Sequence, residues 1–410
     1  MRTEANPIQK MKRWQKLLIA LLLLLCASQI PFAYRRFKLS RLRGEIQQLN
    51  ANRLSHTAGN YTEYKGVVHV HSFLGGHSSG NFEDIISAAK ANGLDFVVMT
   101  EHPGKTLNTA EFTLRGVHDG VVFVNGNEVA TSEGNRVLII PGNEVTGKSG
   151  EHATQSLFDT ARTGREFSVI AYPSQFTAWH SDGFDGIEVY NVYTNAQHIN
   201  PLIMFFDGLW SSAQHQSLLF ANFYQRPDES LARWDEQNQK RRVTGISGND
   251  AHANIGISLN DSSGKRLLGL RLDPYETSFQ LVRVHILAPR DASLDEGMVV
   301  EALKSGHCFI GFDLFGDTTG FSFSAQNQTE TIQGDEIALT EAVQLTVLSP
   351  IPARLVLYRD GKAFQEEALM TRKDFRIEQR GSYRVELYLP QLPHRVSQQP
   401  WIISNPIYVR

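Results

Sequence analysis

The chain has 410 residues, 41% of them hydrophobic, with a net charge of -3 and two cysteines. That length is ample for a large core and more than one folding unit, and the charge lacks the basic footprint of a nucleic-acid binder. Cys26 lies in an apolar run and Cys308 stands alone. This excludes a disulfide framework and a cysteine-rich zinc site, so any metal must use His, Asp and Glu.

Residues 1–16 form a basic tail carrying Arg2, Lys10, Lys12, Arg13 and Lys16, and 17–27 are wholly apolar. The apolar stretch reaches Tyr34, interrupted by Ser28, Gln29 and Pro31. It reads as a single-pass membrane anchor over 17–34, with Trp14 and Tyr34 suited to the interfaces. A signal peptide cleaved near Cys26-Ala27-Ser28, giving a secreted protein, is the alternative. Arg35, Arg36, Lys38, Arg41 and Arg43 follow, so basic charge is balanced across the span and does not set its orientation. An extracytoplasmic C-terminal portion is expected, since a lone N-terminal anchor usually serves that purpose. Residues 35–60 read as a juxtamembrane linker, in which Leu42, Ile46 and Leu49 have helical spacing.

From residue 61 strands alternate with helices. Strands are expected over 66–71, 95–100, 121–124, 137–140, 168–172, 186–190, 243–247 and 281–287, and a helix over 82–91 ended by Gly93. This predicts a parallel α/β sheet or barrel over 61–317. Near residue 318 the pattern becomes simple alternation, in 342–348, 353–358, 383–389 and 402–409, with Asp360-Gly361 as a turn. A small all-β sandwich of immunoglobulin type is expected over 318–410.

The chemistry lies in the α/β half. His69 and His71 sit at i and i+2 of a strand, so both imidazoles face one side, half of a metal site. His77 follows. His102 comes after Met99-Thr100-Glu101, Glu144 after Pro141-Gly142-Asn143 with His152 further on, and Asp250 and His252 after Ser247-Gly248-Asn249. Each group falls where a predicted strand gives way to a loop, the place where catalytic residues gather in a parallel barrel. Glu128 shares the Gly-Asn-Glu context of Glu144, but no histidine follows at the right distance, so it ranks behind. Glu188 and Asn191 either face the pocket mouth or end a strand. Lys148 and Arg165 are candidates for an anionic substrate, although ordinary solvated charge explains them as well.

The chain here resembles the PHP family, named for polymerase and histidinol phosphatase. The resemblance rests on His69-x-His71, Thr100-Glu101-His102, Pro141-Gly142-Asn143-Glu144-Val145-Thr146 and Asp250-Ala251-His252, and covers residues 62 to 315. Trp401-Ile402-Ile403-Ser404-Asn405-Pro406 and Gly186-Ile187-Glu188-Val189-Tyr190-Asn191 resemble a branch with a C-terminal β-domain. The resemblance implies a distorted (β/α)7 TIM-like barrel holding two or three divalent ions (zinc, manganese or iron). His69, His71, Glu144 and Asp250 would hold one, Glu144 would bridge to a second with His152, and His77, His102 and His252 would hold a third. The family's usual His-Pro is replaced by Tyr172-Pro173. A neutral phenol is a poor ligand at its ordinary pKa, which weakens the second ion; His180 is the nearest substitute. The implied activity is hydrolysis of a small phosphorylated ester by a metal-activated hydroxide, with Glu144 orienting and Asp250 or a histidine steering the proton. Hydrolysis of amide, carbamate or carboxylic-ester bonds, and a degenerate ligand-binding barrel, are the alternatives.

Overall fold

A computed structural model describes residues 12–56, 59–104, 107–143, 149–197, 199–254, 256–260, 266–271, 273–326, 330–340 and 342–410. The chain opens with helix α1 (Arg13–Ala51), 39 residues with Pro31 inside it, about 58 Å long at 1.5 Å per residue. It runs without a break from the expected anchor into the expected linker. Its first half is long and apolar enough to cross a membrane, with a window of mean hydropathy 2.2 and none of that window buried. Its second half buries Leu39, Leu42 and Ile46 against the body of the protein, with Leu49 beside them. The spacing of these residues lays one apolar stripe along the helix.

Two sheets build the α/β half. In the first, β1 (Tyr61–Val70) lies parallel to β2 (Phe96–Met99). β3 (Gly116–His118) folds antiparallel onto β4 (Val121–Val124), which is parallel to β2. The second sheet runs β5 (Asn127–Ala130), β6 (Arg136–Ile140), β7 (Phe167–Ile170), β8 (Gly186–Asn191), β9 (Thr244–Gly248). Val68, Val98 and Val124 of the first sheet and Leu138, Val169 and Ile246 of the second share one buried cluster. The sheets therefore face each other like the walls of a barrel. Among the described residues their backbones pair through isolated bridges, Val70 with Ala251 and Glu101 with Asn127, and no continuous ladder closes the expected (β/α)7 ring. β6 is antiparallel to both β5 and β7; the connection 131–135 to β5 is too short for the crossover a parallel pair requires.

Helix α2 (Phe82–Ala91) has the expected bounds, buries Ile85, Ala88 and Ala89, and is capped by Asn81 accepting from Asp84 N. Gly93 leaves it at φ 59°. α3 (Thr154–Gly164) leads into β7, and α4 (Val192–Ala196), α5 (Pro201–His215) and α6 (Asp228–Lys240) connect β8 to β9. β10 (Gly256–Asn260) and β11 (Arg266–Arg271) form a separate hairpin.

On the other edge of β1, β12 (Arg283–Pro289) pairs antiparallel with it, and β13 (Cys308–Gly311) with β12. Strand Ile402–Ser404 pairs with β13 on one side and Gly381–Tyr388 on the other. The C-terminal strands thus continue the first sheet of the α/β half. The two strands expected over 342–348 and 353–358 are one, Val343–Arg359, which hairpins with Lys362–Ile377. Asp360 and Gly361 turn it at φ 50° and 79°.

Candidate metal centre

The end of β1 is irregular, and the irregularity shapes the site. The register with β2 shifts between Val68 and Val70, and His69 between them has φ 68°. Ala251 N donates to His69 O and His71 N donates to Ala251 O, at 3.2 and 3.1 Å. These bonds tie the end of β1 to the chain leaving β9 and bring Asp250 and His252 beside the two histidines. His102 arrives from the end of β2, and Glu128 from β5, whose first residue bridges to Glu101. Asp250 and Tyr172 also have positive φ, 48° and 49°. The left-handed region costs an L-residue roughly 1–2 kcal/mol, and such strain concentrates where side chains must be aimed. Gly248 is required by space, since a Cβ there would lie 1.5 Å from Glu188 Oε1.

His69, His71, Glu128 and Asp250 are all buried and offer one ligand atom each, mutually within 4.8 Å; His71, His102 and His252 do the same. Glu128 Oε2 lies 3.2 Å from His69 Nε2, 3.3 Å from His71 Nε2 and 3.5 Å from His102 Nδ1. Asp250 Oδ1 lies 3.5 Å from the Nε2 atoms of His69 and His71. The His71 ring stacks between His102 and His252, with centroids 4.5 and 4.2 Å away. Both His71 nitrogens, His102 Nδ1 and Asp250 Oδ1 are buried without a hydrogen-bond partner. Buried polar atoms left bare are costly, and here they converge.

Second neighbours fix the ring orientations. His69 Nδ1 is 2.6 Å from Glu188 Oε1, and Glu188 Oε2 accepts from Asn191 Nδ2 at 3.0 Å. A carboxylate behind an imidazole holds the proton on the near nitrogen and leaves the far lone pair facing the site. With His69 so arranged, its Nε2 and Glu128 Oε2 are two acceptors facing each other, a gap that either a proton on Nε2 or a cation between them fills. The electrostatics agree. Burial alone would lower His69, but Glu188, Asp250 and Glu128 outweigh it and raise its pKa; Asp250 and Glu128 do the same for His71. Burial would raise Glu128 and Asp250, yet His69 and His71 hold both below the usual carboxylate range. Burial and the neighbouring His71 lower His102 and His252 to about 4, so both are neutral, lone-pair donors near pH 7. Two carboxylates and bare imidazole nitrogens suit a divalent cation of borderline softness.

Of the candidate ligands, His69, His71, His102, Asp250 and His252 are brought together. His77 is exposed and in neither ligand group, its ring edge-on to His102 at 5.2 Å. His152 is also in neither group, and its carbonyl accepts from Ser132 N beside the β5–β6 turn. Glu144 and Lys148 lie outside the described residues. Among the described residues the carboxylate between the imidazoles is Glu128. Ile140 pairs with Phe167 at the start of β7, so antiparallel β6 delivers Pro141 to the end of the sheet away from Tyr172. Tyr172 enters the cluster in its own way, with its hydroxyl donating to Asp250 Oδ2 at 2.7 Å. Burial and Asp250 push this phenol far up, so it stays protonated and acts as a donor that orients Asp250. His180 is exposed and in neither group. Arg165 is the left-handed C-cap of α3, its carbonyl accepting from Lys304, at the start of β7 rather than its site end. Arg136, not singled out by the sequence, is a cation at the cluster: its Nη1 is 3.9 Å from Glu128 Oε1 and its side chain is 43% exposed. A cavity of about 180 Å³, lined by Pro173, Glu188, Asn191, Asn195, Gln225 and Arg226 among others, adjoins the cluster.

No family model and no curated protein matches the chain. Among solved structures it is similar to a two-domain protein containing a predicted PHP-like metal-dependent phosphoesterase from Bacteroides vulgatus. Identity there is 14% over 87% of this chain and 98% of that one, with a TM-score of 0.41. It is also similar to PsfC from Pseudomonas syringae, at 14% identity over 59% of this chain and 90% of that one, TM-score 0.32. A third is the lesion-specific endonuclease PfuEndoQ from Pyrococcus furiosus, at 13% identity over 59% and 56%, TM-score 0.35.

Proposed function

We propose that the chain is a metal-dependent hydrolase of the PHP type, acting on a small phosphorylated ester and held to a membrane by α1. The observation that carries the hydrolase reading is the convergence of Glu128 Oε2, Asp250 Oδ1 and the nitrogens of His69 and His71 on one buried point. These four residues would hold one divalent cation, and His102 and His252 flank His71 where a second would extend the set. Such a cation supplies the positive charge that acidifies water and takes charge from an ester under attack. Glu188 keeps His69 in the ligating tautomer, and Tyr172 holds Asp250 by its second oxygen, leaving Oδ1 for the centre. Arg136 stands at the rim, where it would bind an anionic oxygen of the substrate. The 180 Å³ cavity suits a small leaving group or alcohol portion. The motif order that resembles the PHP family supports the same reading.

The anchor reading of α1 is supported by its continuity, since a helix whose second half is packed on the body projects an unburied apolar half. The test uses the full chain in detergent, because removing residues before 60 would strip the buried contacts of Leu39, Leu42 and Ile46. Bound metal is measured and phosphomono-, phosphodi- and carboxylic esters are screened, with His69→Ala as control. Phosphoester turnover lost in His69→Ala supports the proposal. Turnover of carbonyl esters alone, or none in a metal-loaded protein, overturns it.

A further inference from the structure

The apolar half of α1 is not the only unpartnered apolar surface at that end of the molecule. Helix α5 lies beside α1 at the point where the expected span ends. Phe32 and Phe206 rings are 5.0 Å apart. Trp210 Nε1 donates to Gln29 Oε1 at 3.0 Å, Arg35 Nε to Asp207 Oδ1 at 2.8 Å, and Ser40 Oγ meets His215 Nε2 at 3.0 Å. From Phe32–Phe206 through Arg35–Asp207 and Arg36–Gln214 to Ser40–His215 the partners climb together in both helices, with the Trp210 ring reaching back to Gln29, so α1 and α5 run in the same direction. Counting back at 1.5 Å per residue, the first turn of α5 reaches about 8 Å past the Phe32–Phe206 contact, alongside the apolar stretch of α1.

That first half of α5 is built for an apolar surround. Leu202, Ile203 and Leu209 are 66%, 40% and 57% exposed. Between residues 199 and 214 the sole charged side chain is Asp207, which is buried and neutralised by Arg35. The helix N-terminus, normally a source of bare N–H groups, has none here. Pro201 has no N–H, Asn200 Oδ1 accepts from Leu202 N and Ile203 N at 3.0 and 3.2 Å, and Met204 N donates to Asn200 O. The other end is polar and basic, with Arg36 on Gln214 and Arg43 on the Gln214 carbonyl, at the level where anionic headgroups would lie.

We propose that the N-terminal half of α5 inserts into the lipid bilayer that α1 spans, a second, monotopic contact that clamps the domain against the membrane surface. This rests on the anchor reading of α1. The occupant is lipid because the exposed face is continuous with the apolar half of α1 and carries its own satisfied helix end.

The test uses the full chain with Cys26→Ser, in which the remaining Cys308 is buried and is first shown not to label, reconstituted into phosphatidylcholine–phosphatidylglycerol vesicles. Single cysteines are placed by Leu202→Cys, Leu209→Cys, Leu23→Cys and, as a distant exposed control, Val117→Cys, which replaces a residue 67% exposed on β3. Each carries an environment-sensitive fluorophore. Quenching by nitroxide-labelled lipid and by aqueous iodide is read. Lipid quenching severalfold stronger at Leu202 than at Val117, with Leu209 between and iodide excluded from Leu202, is expected. Equal quenching at Leu202 and Val117 while Leu23 is lipid-quenched overturns the α5 contact alone. Shielding of Leu202 from both quenchers means a protein surface, such as a second copy, covers it and also overturns the proposal. Iodide access at Leu23 would remove the anchor reading and this inference with it.

Discussion

Glu188 offers a sharp test of how the site is held. It is fully buried, 2.6 Å from His69 Nδ1 through Oε1, and its Oε2 accepts from Asn191 Nδ2 at 3.0 Å, with Tyr172 N at 3.5 Å. Glu188→Gln keeps the shape and replaces one acceptor by an amide donor. The donors of Asn191 and Tyr172 claim the remaining oxygen, so the new NH2 faces His69 Nδ1. His69 must then carry its proton on Nε2, the nitrogen that faces Glu128 and Asp250. Disturbing such a carboxylate–imidazole pair costs about 10–100-fold in metal affinity, roughly 1.4–2.7 kcal/mol. Competition titration of zinc or manganese against a chelator near pH 7.5 reads this directly, and circular dichroism checks that the fold is intact. Glu188→Asp, which keeps the charge but shortens the reach, should lose less. An unchanged metal dissociation constant in a folded Glu188→Gln protein would show that Glu188 does not set the His69 tautomer.

Three further outcomes are expected. Tyr172→Phe leaves Asp250 Oδ2 without its donor and should weaken metal binding by about 1–2 kcal/mol, the worth of a hydrogen bond to a charged group; metal titration checks it, and an unchanged affinity would refute the donor role. His285 lies in a second buried network: burial would lower it, but Asp313 and Glu63 outweigh that and hold its pKa at about 9. Its stabilisation is therefore complete below about pH 6.5 and lost as pH rises through 9, on the order of 3 kcal/mol in all; Tm measured from pH 6 to 10 should fall, and His285→Gln should flatten the curve. Arg384 is buried, binds Asp235 of α6 at 2.7 Å through two nitrogens and Glu386 at 2.6 Å, so Arg384→Met should destabilise by about 3–5 kcal/mol in denaturant unfolding, against under 1 kcal/mol if the pair is dispensable.

What could be read in the sequence follows a physical division. His69, His71, His102, Asp250 and His252 stand out because each closes a short local pattern at a strand end. Glu128 did not stand out, because it shares its Gly-Asn-Glu-Val context with Glu144 and no histidine follows it at the right distance. Glu188 acts through His69, 119 residues away in the chain, and no local pattern announces that. The Lys362–Ile377 strand is mostly exposed, so it lacks the alternation that marks a half-buried strand. The pairing of Ile402–Ser404 with β13 is long-range and leaves no trace in composition. Nor does any pattern announce the positive φ of His69.

The central claim is that Glu128, with His69, His71 and Asp250, holds a divalent ion. Equilibrium dialysis of the full-length protein against trace divalent metal, followed by elemental analysis, tests it most directly. At least one ion per chain in the wild type, and an affinity at least about tenfold weaker in Glu128→Gln, is the predicted result. A wild type that binds no metal, or a Glu128→Gln protein that binds as well as the wild type, would contradict the account.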